Sequence, residues 1–337
     1  MPFQIIRNDI TKVSADAIVN TANPRPCIGS GTDSAIYTAA GAEALLAQRK
    51  AIGDIAPGQA VSTDAFALHA RYIIHTVGPI WVDGQQGERE VLRACYANAL
   101  ALAAKLGCES VAFPLISSGV YSFPRDEALR IAFSEIGGFL LQHEMRVFLV
   151  VLDRKAVELS QRLMGGIAEY IDEQTARSIR EAEYRSGYRM SRSRTESVLL
   201  ERRRRLPMER APEDSLESVL SKPGDTFQQR LFRLIDQSGM DDVTVYKKAN
   251  IDRKVFSSIR CKPNYKPKKR TALAFAIALK LDLPATVDLL ARAELSFSPS
   301  NRFDLIVAYF IRQGNYNIYE INAALFQYGE PTLGCEA

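Results

Sequence analysis

The chain has 337 residues, of which 47% are hydrophobic and 24% charged, and its formal net charge is +4. This length predicts two domains of roughly 100–200 residues each, and the apolar content excludes a wholly disordered protein. No stretch reaches about 18 apolar residues without a charge, and the first residues lack a secretory leader pattern. We therefore expect a cytoplasmic protein that does not span a membrane.

The five cysteines and three histidines are scattered, and none forms the closely spaced pairs typical of a zinc site. We expect reduced thiols, no metal centre and no cofactor. His75 lies in the middle of the apolar run YIIHTV, which predicts a buried, hydrogen-bonded histidine and not a catalytic base.

The N-terminal half alternates short apolar runs, typical of buried strands, with segments whose apolar residues recur at helical spacing. The predicted strands are FQIIRN, DAIVN, YIIHTV, SVAFPL and RVFLVVL. The predicted helices are SAIYTAAGAEALLAQ, REVLRACYANALALAAKLG, PRDEALRIAFSEIGGFLLQHE and KAVELSQRLMGGIAEYI. This alternation predicts an α/β domain over residues 1–172, with helices on both faces of a sheet.

The composition changes at about residue 173. Residues 173–222 are dense in Arg, Glu and Ser, which predicts a charged linker. Within it, the run Arg202–Arg205 could contact nucleic acid or stay solvated. Residues 223–337 show helical patterns alone and predict an all-α domain.

Two loops in the N-terminal half combine small and polar residues between a predicted strand and a predicted helix. Gly29, Ser30 and Gly31 precede a helix that should begin near residue 32 or 33, and Ser117 to Val120 precede a helix opened by Pro124. Glycine loops at helix N-termini favour anions, although each loop could simply be a tight turn. Neither loop has a P-loop or dinucleotide fingerprint, so the pair, which could grip a diphosphate from both sides, predicts a site for a phosphate ester of another kind.

The order of these motifs resembles the macrodomain family, whose members bind ADP-ribose. The resemblance covers about residues 1–172 and implies a three-layer α/β/α fold with a mixed sheet. The matching runs are Asp9-Ile10-Thr11, Asn20-Thr21-Ala22-Asn23, Ile28-Gly29-Ser30-Gly31-Thr32-Asp33, Ala39-Ala40-Gly41 and Ile116-Ser117-Ser118-Gly119-Val120-Tyr121-Ser122-Phe123-Pro124.

The resemblance also implies which part of ADP-ribose each of these residues would contact. Asp9, beside Ile10, would accept a hydrogen bond from the adenine amino group, and Asn23 and Asp33 would lie at the distal ribose. Backbone N–H groups of both loops would bind the diphosphate. Leu152 stands where many members carry an aromatic residue, so its contact with adenine would be apolar. The other implied ligand residues are Asn20, Gly29, Ser30, Gly31, Ser117, Ser118, Gly119, Val120 and Tyr121.

In hydrolytic members, residues at the positions of Asp33 and Asn23 orient or activate a water molecule. Their presence here implies a metal-free hydrolase for mono-ADP-ribose on acidic residues or for O-acetyl-ADP-ribose. Two alternatives stay open: the diphosphate of the substrate activates the water, or the protein is a sensor that binds ADP-ribose without cleaving it. The stiff run Pro24-Arg25-Pro26 should make the first loop less mobile than the usual Gly-rich one.

Residues 247–270 carry ten basic side chains and one acidic one, Asp252. Two short predicted helices meet here at a turn, and residues 226–293 resemble phage-repressor-like helix-turn-helix domains. That resemblance implies DNA contacts, whereas the alternative is a domain that docks a protein, as in a regulator or an antitoxin-like protein. The candidate nucleic-acid residues are Arg253, Lys254, Ser257, Ser258, Arg260, Lys266, Lys268, Lys269 and Arg270.

Overall fold

The computed structural model describes residues 2–154, 157, 159, 163–174, 177 and 224–334. Its first section, residues 2–154, is called the α/β part and holds a six-stranded sheet in the order β1-β6-β5-β2-β4-β3. All neighbours are parallel except β3 and β4, so the sheet is mixed, as predicted. The strands are β1 (Phe3–Arg7), β2 (Ala17–Thr21), β3 (Ala60–Asp64), β4 (Tyr72–Thr76), β5 (Ser110–Pro114) and β6 (Arg146–Val151).

Helices cover both faces of this sheet. They are α1 (Thr32–Ala40), α2 (Ala42–Ile52), α3 (Glu88–Lys105) and α4 (Arg125–Gln142). Alternate residues of β2 show the layering, because successive side chains of a strand point to opposite faces. Ala17 and Val19 pack in the cluster that includes α3 and α4, whereas Ile18 packs in the cluster that includes α1 and α2. The three-layer α/β/α prediction is confirmed.

Two elements differ from the sequence prediction. The edge strand β3 was not predicted, because its sequence AVSTD is short and mostly polar. The single helix predicted after β2 is two helices, α1 and α2, which meet at Gly41 with a φ of 102°. Of the helix predicted after β6, residues 163–174 are helical and the residues before them lie mostly outside the described range.

Residues 224–334, called the helical part, contain only helices among their regular elements, as predicted. Helix α8 is buried along almost its whole length and forms the centre of this part. Short polar side chains cap several helices, such as Thr226 with Gln229 in a capping box at the start of α5. The helices are α5 (Phe227–Ser238), α6 (Asp242–Lys248), α7 (Arg253–Cys261), α8 (Lys269–Ala278), α9 (Leu283–Ala291), α10 (Arg302–Arg312) and α11 (Ile318–Gln327).

The helical part packs against the edge of the sheet. Asn250, in the turn between α6 and α7, accepts a hydrogen bond from the Phe3 backbone N–H at 2.7 Å and donates one to the Phe3 carbonyl at 2.9 Å. Tyr319 of α11 packs on the rings of Phe3 and Phe133, at centroid distances of 5.4 and 6.1 Å. These contacts cover the outer edge of β1 near its first residue, Phe3, which lies at the amino-terminal end of the strand.

The predicted linker, residues 173–222, lies mostly outside the described residues, so its boundaries stay predictions. Within the part of the chain that the structure describes, no helix is both long and apolar enough to cross a membrane.

Candidate active site

A cleft with a volume of about 360 Å³ lies at the carboxyl ends of the parallel strands. Its walls are the loop after β2, the loop after β5 and the end of β6, which is where α/β sheets commonly bind ligands. Eleven of the fourteen ligand or catalytic residues predicted for the α/β part line it: Asn23, Gly29, Ser30, Gly31, Asp33, Ser117, Ser118, Gly119, Val120, Tyr121 and Leu152.

Asp9 and Ile10 lie beside this cleft and do not line it. Asp9 follows β1, and its carboxylate accepts hydrogen bonds from the Thr11 hydroxyl at 2.7 Å and the Thr11 backbone N–H at 3.0 Å. These bonds lower the pKa of Asp9. Because β1 pairs with β6, Asp9 lies near the cleft wall that contains Leu152. Its predicted contact with adenine stays a prediction.

Asp33 lies at the base of the cleft, in the first turn of α1. It is 3% exposed, and its two oxygens accept hydrogen bonds of 2.6 Å from the Gly29 backbone N–H and from Asn20 Nδ2. Burial raises the pKa of Asp33, although the hydrogen bonds from Gly29 and Asn20 and the charge of Arg49 act against that rise. A buried carboxylate with a raised pKa is suited to accept a proton from water.

Gly29 lets the two predicted catalytic side chains approach each other. A Cβ atom at Gly29 would lie 2.6 Å from Asn23 Nδ2 and 3.2 Å from Asp33 Oδ2. The Asn23 amide is oriented by a 3.3 Å hydrogen bond that it donates to the Cys27 carbonyl. The structure therefore brings Asn23 and Asp33 together across one glycine.

The loop after β5 forms the opposite wall. Ser117 has a φ of 61°, and its buried hydroxyl has no hydrogen-bond partner among the described residues. Ser118 Oγ donates to the Leu115 carbonyl at 2.8 Å, and Val120 is 80% exposed at the rim. Gly78 lies so close to Ser117 that a side chain there would collide with the hydroxyl. Sequence reasoning missed Gly78, which lies 39 residues before Ser117 in the chain.

The loop between β4 and α3 supports this wall from its outer side. The Trp81 backbone N–H donates to the Tyr121 carbonyl at 2.9 Å, and the Trp81 ring meets Phe123 edge-on at 4.7 Å. Glu88 accepts hydrogen bonds from four backbone N–H groups of residues 82–86, at 2.7 to 3.3 Å. Desolvation acts to raise the pKa of Glu88, but the backbone hydrogen bonds outweigh it and lower that pKa to about 2. Glu88 therefore stays an anion that holds the loop in place.

Arg49 holds the loop after β2, which forms one wall of the cleft, and sequence reasoning missed this residue. This side chain of α2 is almost fully buried and donates hydrogen bonds to the carbonyls of Asn23, Pro24 and Gly53. It thereby holds the backbone of the loop that carries Asn23. No local motif marks a buried arginine that binds the carbonyls of Asn23 and Pro24, which lie 26 and 25 residues away in the chain.

Replacing Arg49 with Met is expected to lower the free energy of unfolding by about 2–4 kcal/mol, because three part-buried backbone carbonyls lose a charged donor. Urea unfolding would measure the change. Arg93→Met is the matched control, because Arg93 is half exposed and its pair with Glu135 contributes less than about 1 kcal/mol. Equal losses for both variants would contradict a structural role for Arg49.

The predicted nucleic-acid residues lie on α7, on the loop after it and at the start of α8. Arg253, Lys254 and Ser257 are exposed, and Ser258 donates to the Lys254 carbonyl. Lys268 and Arg270 flank the first residue of α8. The other three candidates form ion pairs: Arg260 with Asp242, Lys266 with Glu294 and Lys269 with Asp304.

The sequence model of the Macro domain family matches residues 19–132. An O-acetyl-ADP-ribose deacetylase of Citrobacter rodentium is 44% identical over 167 residues, which span 48% of this chain and 94% of that protein. The deacetylase of Escherichia coli K12 is 42% identical over 167 residues, with the same coverage. The chain belongs to the macrodomain family. Membership confirms the resemblance inferred from the order of the motifs.

Among solved structures, the Oceanobacillus iheyensis macrodomain with ADP is 37% identical, over 45% of this chain and 84% of that one, with a TM-score of 0.44. The matched family region of this macrodomain protein ends at residue 132, well before the helical part. The resemblance of the helical part to helix-turn-helix domains therefore stays a prediction.

Proposed function

We propose that this macrodomain protein hydrolyses ADP-ribosyl esters, removing mono-ADP-ribose from acidic side chains or acetate from O-acetyl-ADP-ribose. The observation that carries the proposal is the buried Asp33, with its raised pKa, which converges with Asn23 at the base of the cleft. Relatives named O-acetyl-ADP-ribose deacetylases support the same class of reaction.

In this proposal the ligand extends across the cleft from β6 to β2. Adenine lies near Asp9 and Leu152, the diphosphate lies between the backbone N–H groups of the two loops, and the distal ribose lies over Asn23 and Asp33. The closeness of the two loops supports this placement, since a diphosphate needs donors from both sides.

The proposed reaction adds one water molecule across the ester on the distal ribose. The water oxygen attacks while its proton passes to the Asp33 carboxylate, and Asn23 holds the water or the neighbouring hydroxyl in line. The ester C–O bond breaks and the departing oxygen takes up a proton from solvent. The products are a carboxylic acid and ADP-ribose, and Asp33 returns its proton to solvent.

The test offers the full chain two substrates, O-acetyl-ADP-ribose and a protein mono-ADP-ribosylated on acidic residues, and follows the release of acetate and of ADP-ribose. We expect turnover of at least one, with free ADP-ribose as a competitive inhibitor. Tight binding of ADP-ribose without release from either substrate would overturn the hydrolase proposal and favour the sensor alternative.

We also propose that the helical part binds nucleic acid through α7. The favouring observation concerns the two lysines of α6, the helix before α7. Lys247 donates to the Leu141 carbonyl of the α/β part, and Lys248 contacts Met240. The exposed cations Arg253 and Lys254 remain on α7, whose residues include no acid. This arrangement leaves a basic outer face suited to phosphates.

Binding to duplex DNA should then weaken steeply with salt, and replacing Arg253 and Lys254 together with Ala should reduce the salt slope by about 2, since each phosphate contact contributes about 0.9. A fluorescence anisotropy titration between about 50 and 200 mM salt measures it. Lys50→Ala, on an exposed position of α2, should leave the slope unchanged. No binding near 50 mM salt would remove the nucleic-acid proposal and favour protein docking.

A further inference from the structure

A buried chain of hydrogen bonds lies behind Asp33 and crosses three strands. Asn20 of β2 stands directly opposite His75 of β4, and Val61 of β3 stands opposite His75 on the other side. Thr63, two residues after Val61, points to the same face of the sheet. Asn20, His75 and Thr63 are all buried.

In this series of hydrogen bonds, the donor or acceptor role of each group follows from the role of its neighbour. Asn20 Nδ2 carries two hydrogens and lies 2.6 Å from Asp33 Oδ1 and 3.2 Å from His75 Nδ1. Nδ1 must therefore accept, and the imidazole carries its hydrogen on Nε2, which lies 2.9 Å from Thr63 Oγ1.

The surroundings keep this imidazole neutral. Burial, together with the positive charge of Arg49 on α2, lowers the pKa of His75 to about 3. The titratable side chain of Tyr37 of α1 also lies against His75, with a distance of 6.5 Å between the ring centroids. Burial raises the pKa of Tyr37 to about 12, so Tyr37 carries no charge at neutral pH.

We propose that His75 is a positioning residue whose unprotonated Nδ1 holds the Asn20 amide with its NH₂ group toward Asp33. The inference rests on the proposed role of Asp33 in hydrolysis. Two acceptors, Asp33 and His75, hold the NH₂ group, and Asn20 Oδ1 has no hydrogen-bond partner among the described residues. Asp33 changes its charge when it takes a proton, whereas His75 does not, so His75 preserves the orientation through the reaction.

A reversed amide would place Asn20 Oδ1 against the carboxylate of Asp33. The carboxylate would then lose a donor at 2.6 Å and face a second oxygen. Both changes favour the protonated form of Asp33, which cannot accept a proton from water. The structure thus assigns His75 a function that a buried core histidine would not need.

The first test reads the tautomer without using catalysis, so its failure is distinct from failure of the hydrolase proposal. The full chain has three histidines, and the other two, His69 and His143, are exposed. Long-range ¹⁵N–¹H spectra of protein labelled at histidine, assigned with His69→Gln and His143→Gln, should show His75 neutral with its hydrogen on Nε2 from about pH 5 to 9. A hydrogen on Nδ1, or titration near pH 6.5, would overturn the proposal.

The second test separates positioning from packing. His75→Leu removes the acceptor, whereas His75→Gln can supply one through its side-chain carbonyl. We expect the Leu variant to move the acidic limb of the kcat profile up by about one pH unit with ADP-ribose affinity unchanged, and the Gln variant to restore the wild-type midpoint. Equal loss of kcat in both, with no shift of the midpoint, would show a packing role alone.

Thr63→Val provides a third variant if the Leu protein does not fold. It removes the oxygen that accepts from Nε2 while nearly preserving the shape of the side chain. In the same spectra it should populate the tautomer with hydrogen on Nδ1 and shift the acidic limb in the same direction. An unchanged tautomer together with an unchanged pH profile would contradict the proposed positioning role of His75.

Discussion

Replacing Asp33 with Ala is expected to lower kcat for ADP-ribosyl ester hydrolysis by roughly 10²–10⁴-fold, the usual contribution of a positioned proton acceptor. The affinity for free ADP-ribose should change only a few-fold, because in our proposal backbone N–H groups and Asp9 hold most of the ligand. Single-turnover release of ADP-ribose measures the first quantity, and calorimetric titration with ADP-ribose measures the second.

The matched control for Asp33→Ala is Glu43→Ala, which removes one acid from an exposed position in the first turn of α2. It should keep wild-type kcat. In the wild type, kcat should fall as the pH drops through the pKa of Asp33, above the ordinary aspartate range, because burial raises that pKa and the carboxylate is the active form. Undiminished turnover in Asp33→Ala would favour activation of the water by the diphosphate.

Replacing Gly29 with Ala is expected to lower kcat/KM by about 100-fold while leaving the fold intact. The new Cβ would lie 2.6 Å from Asn23 Nδ2, which is the far end of a flexible side chain and can rotate away at the cost of its hydrogen bond to the Cys27 carbonyl. The substitution therefore affects the active site and not the fold, and a displacement of about 1 Å at the reacting groups typically lowers the rate by about 100-fold. The φ of Gly29 is not in the left-handed region, so backbone strain adds nothing.

Gly138→Ala is the control for Gly29→Ala, because a Cβ at Gly138 in α4 meets no atom within 4 Å. It should keep full activity and the wild-type melting temperature or a slightly higher one. If Gly29→Ala also kept full activity at an unchanged melting temperature, Asn23 would not need to lie where the structure places it.

Most of the architecture could be predicted from local patterns. Buried parallel strands are continuous apolar runs, so five of the six strands were found, and the helices of the helical part followed from their spacing. Strand β3 was missed because an antiparallel edge strand needs few apolar residues on its outer side. The division of α1 from α2 depends on the φ of 102° at Gly41, which the surrounding helical pattern concealed.

The cleft itself could be predicted because its two loops lie beside strand ends and carry a family pattern. The groups that hold these loops could not be predicted from the sequence, since Arg49, Glu88 and Gly78 act through contacts that only the folded chain creates. Asn20 shows the same limit. The family resemblance implied a ligand contact, and the structure places Asn20 behind Asp33, buried and outside the cleft lining.

His75 was expected to be a buried, hydrogen-bonded histidine, and its burial is confirmed. Its link to Asp33 through Asn20 could not be read from the sequence, because it depends on the register between β2 and β4.

In the proposed function, Asp33 and Asn23 together promote the hydrolysis of an ADP-ribosyl ester. The most direct measurement incubates the full chain in ¹⁸O-labelled water with O-acetyl-ADP-ribose and, separately, with a protein mono-ADP-ribosylated on acidic residues, and analyses the products by mass spectrometry. We expect, for at least one of the two substrates, released ADP-ribose, one ¹⁸O atom incorporated per cleaved ester, and loss of the reaction in Asp33→Ala. Saturable binding of ADP-ribose with no cleavage of either substrate by the wild-type protein would contradict the proposed hydrolysis.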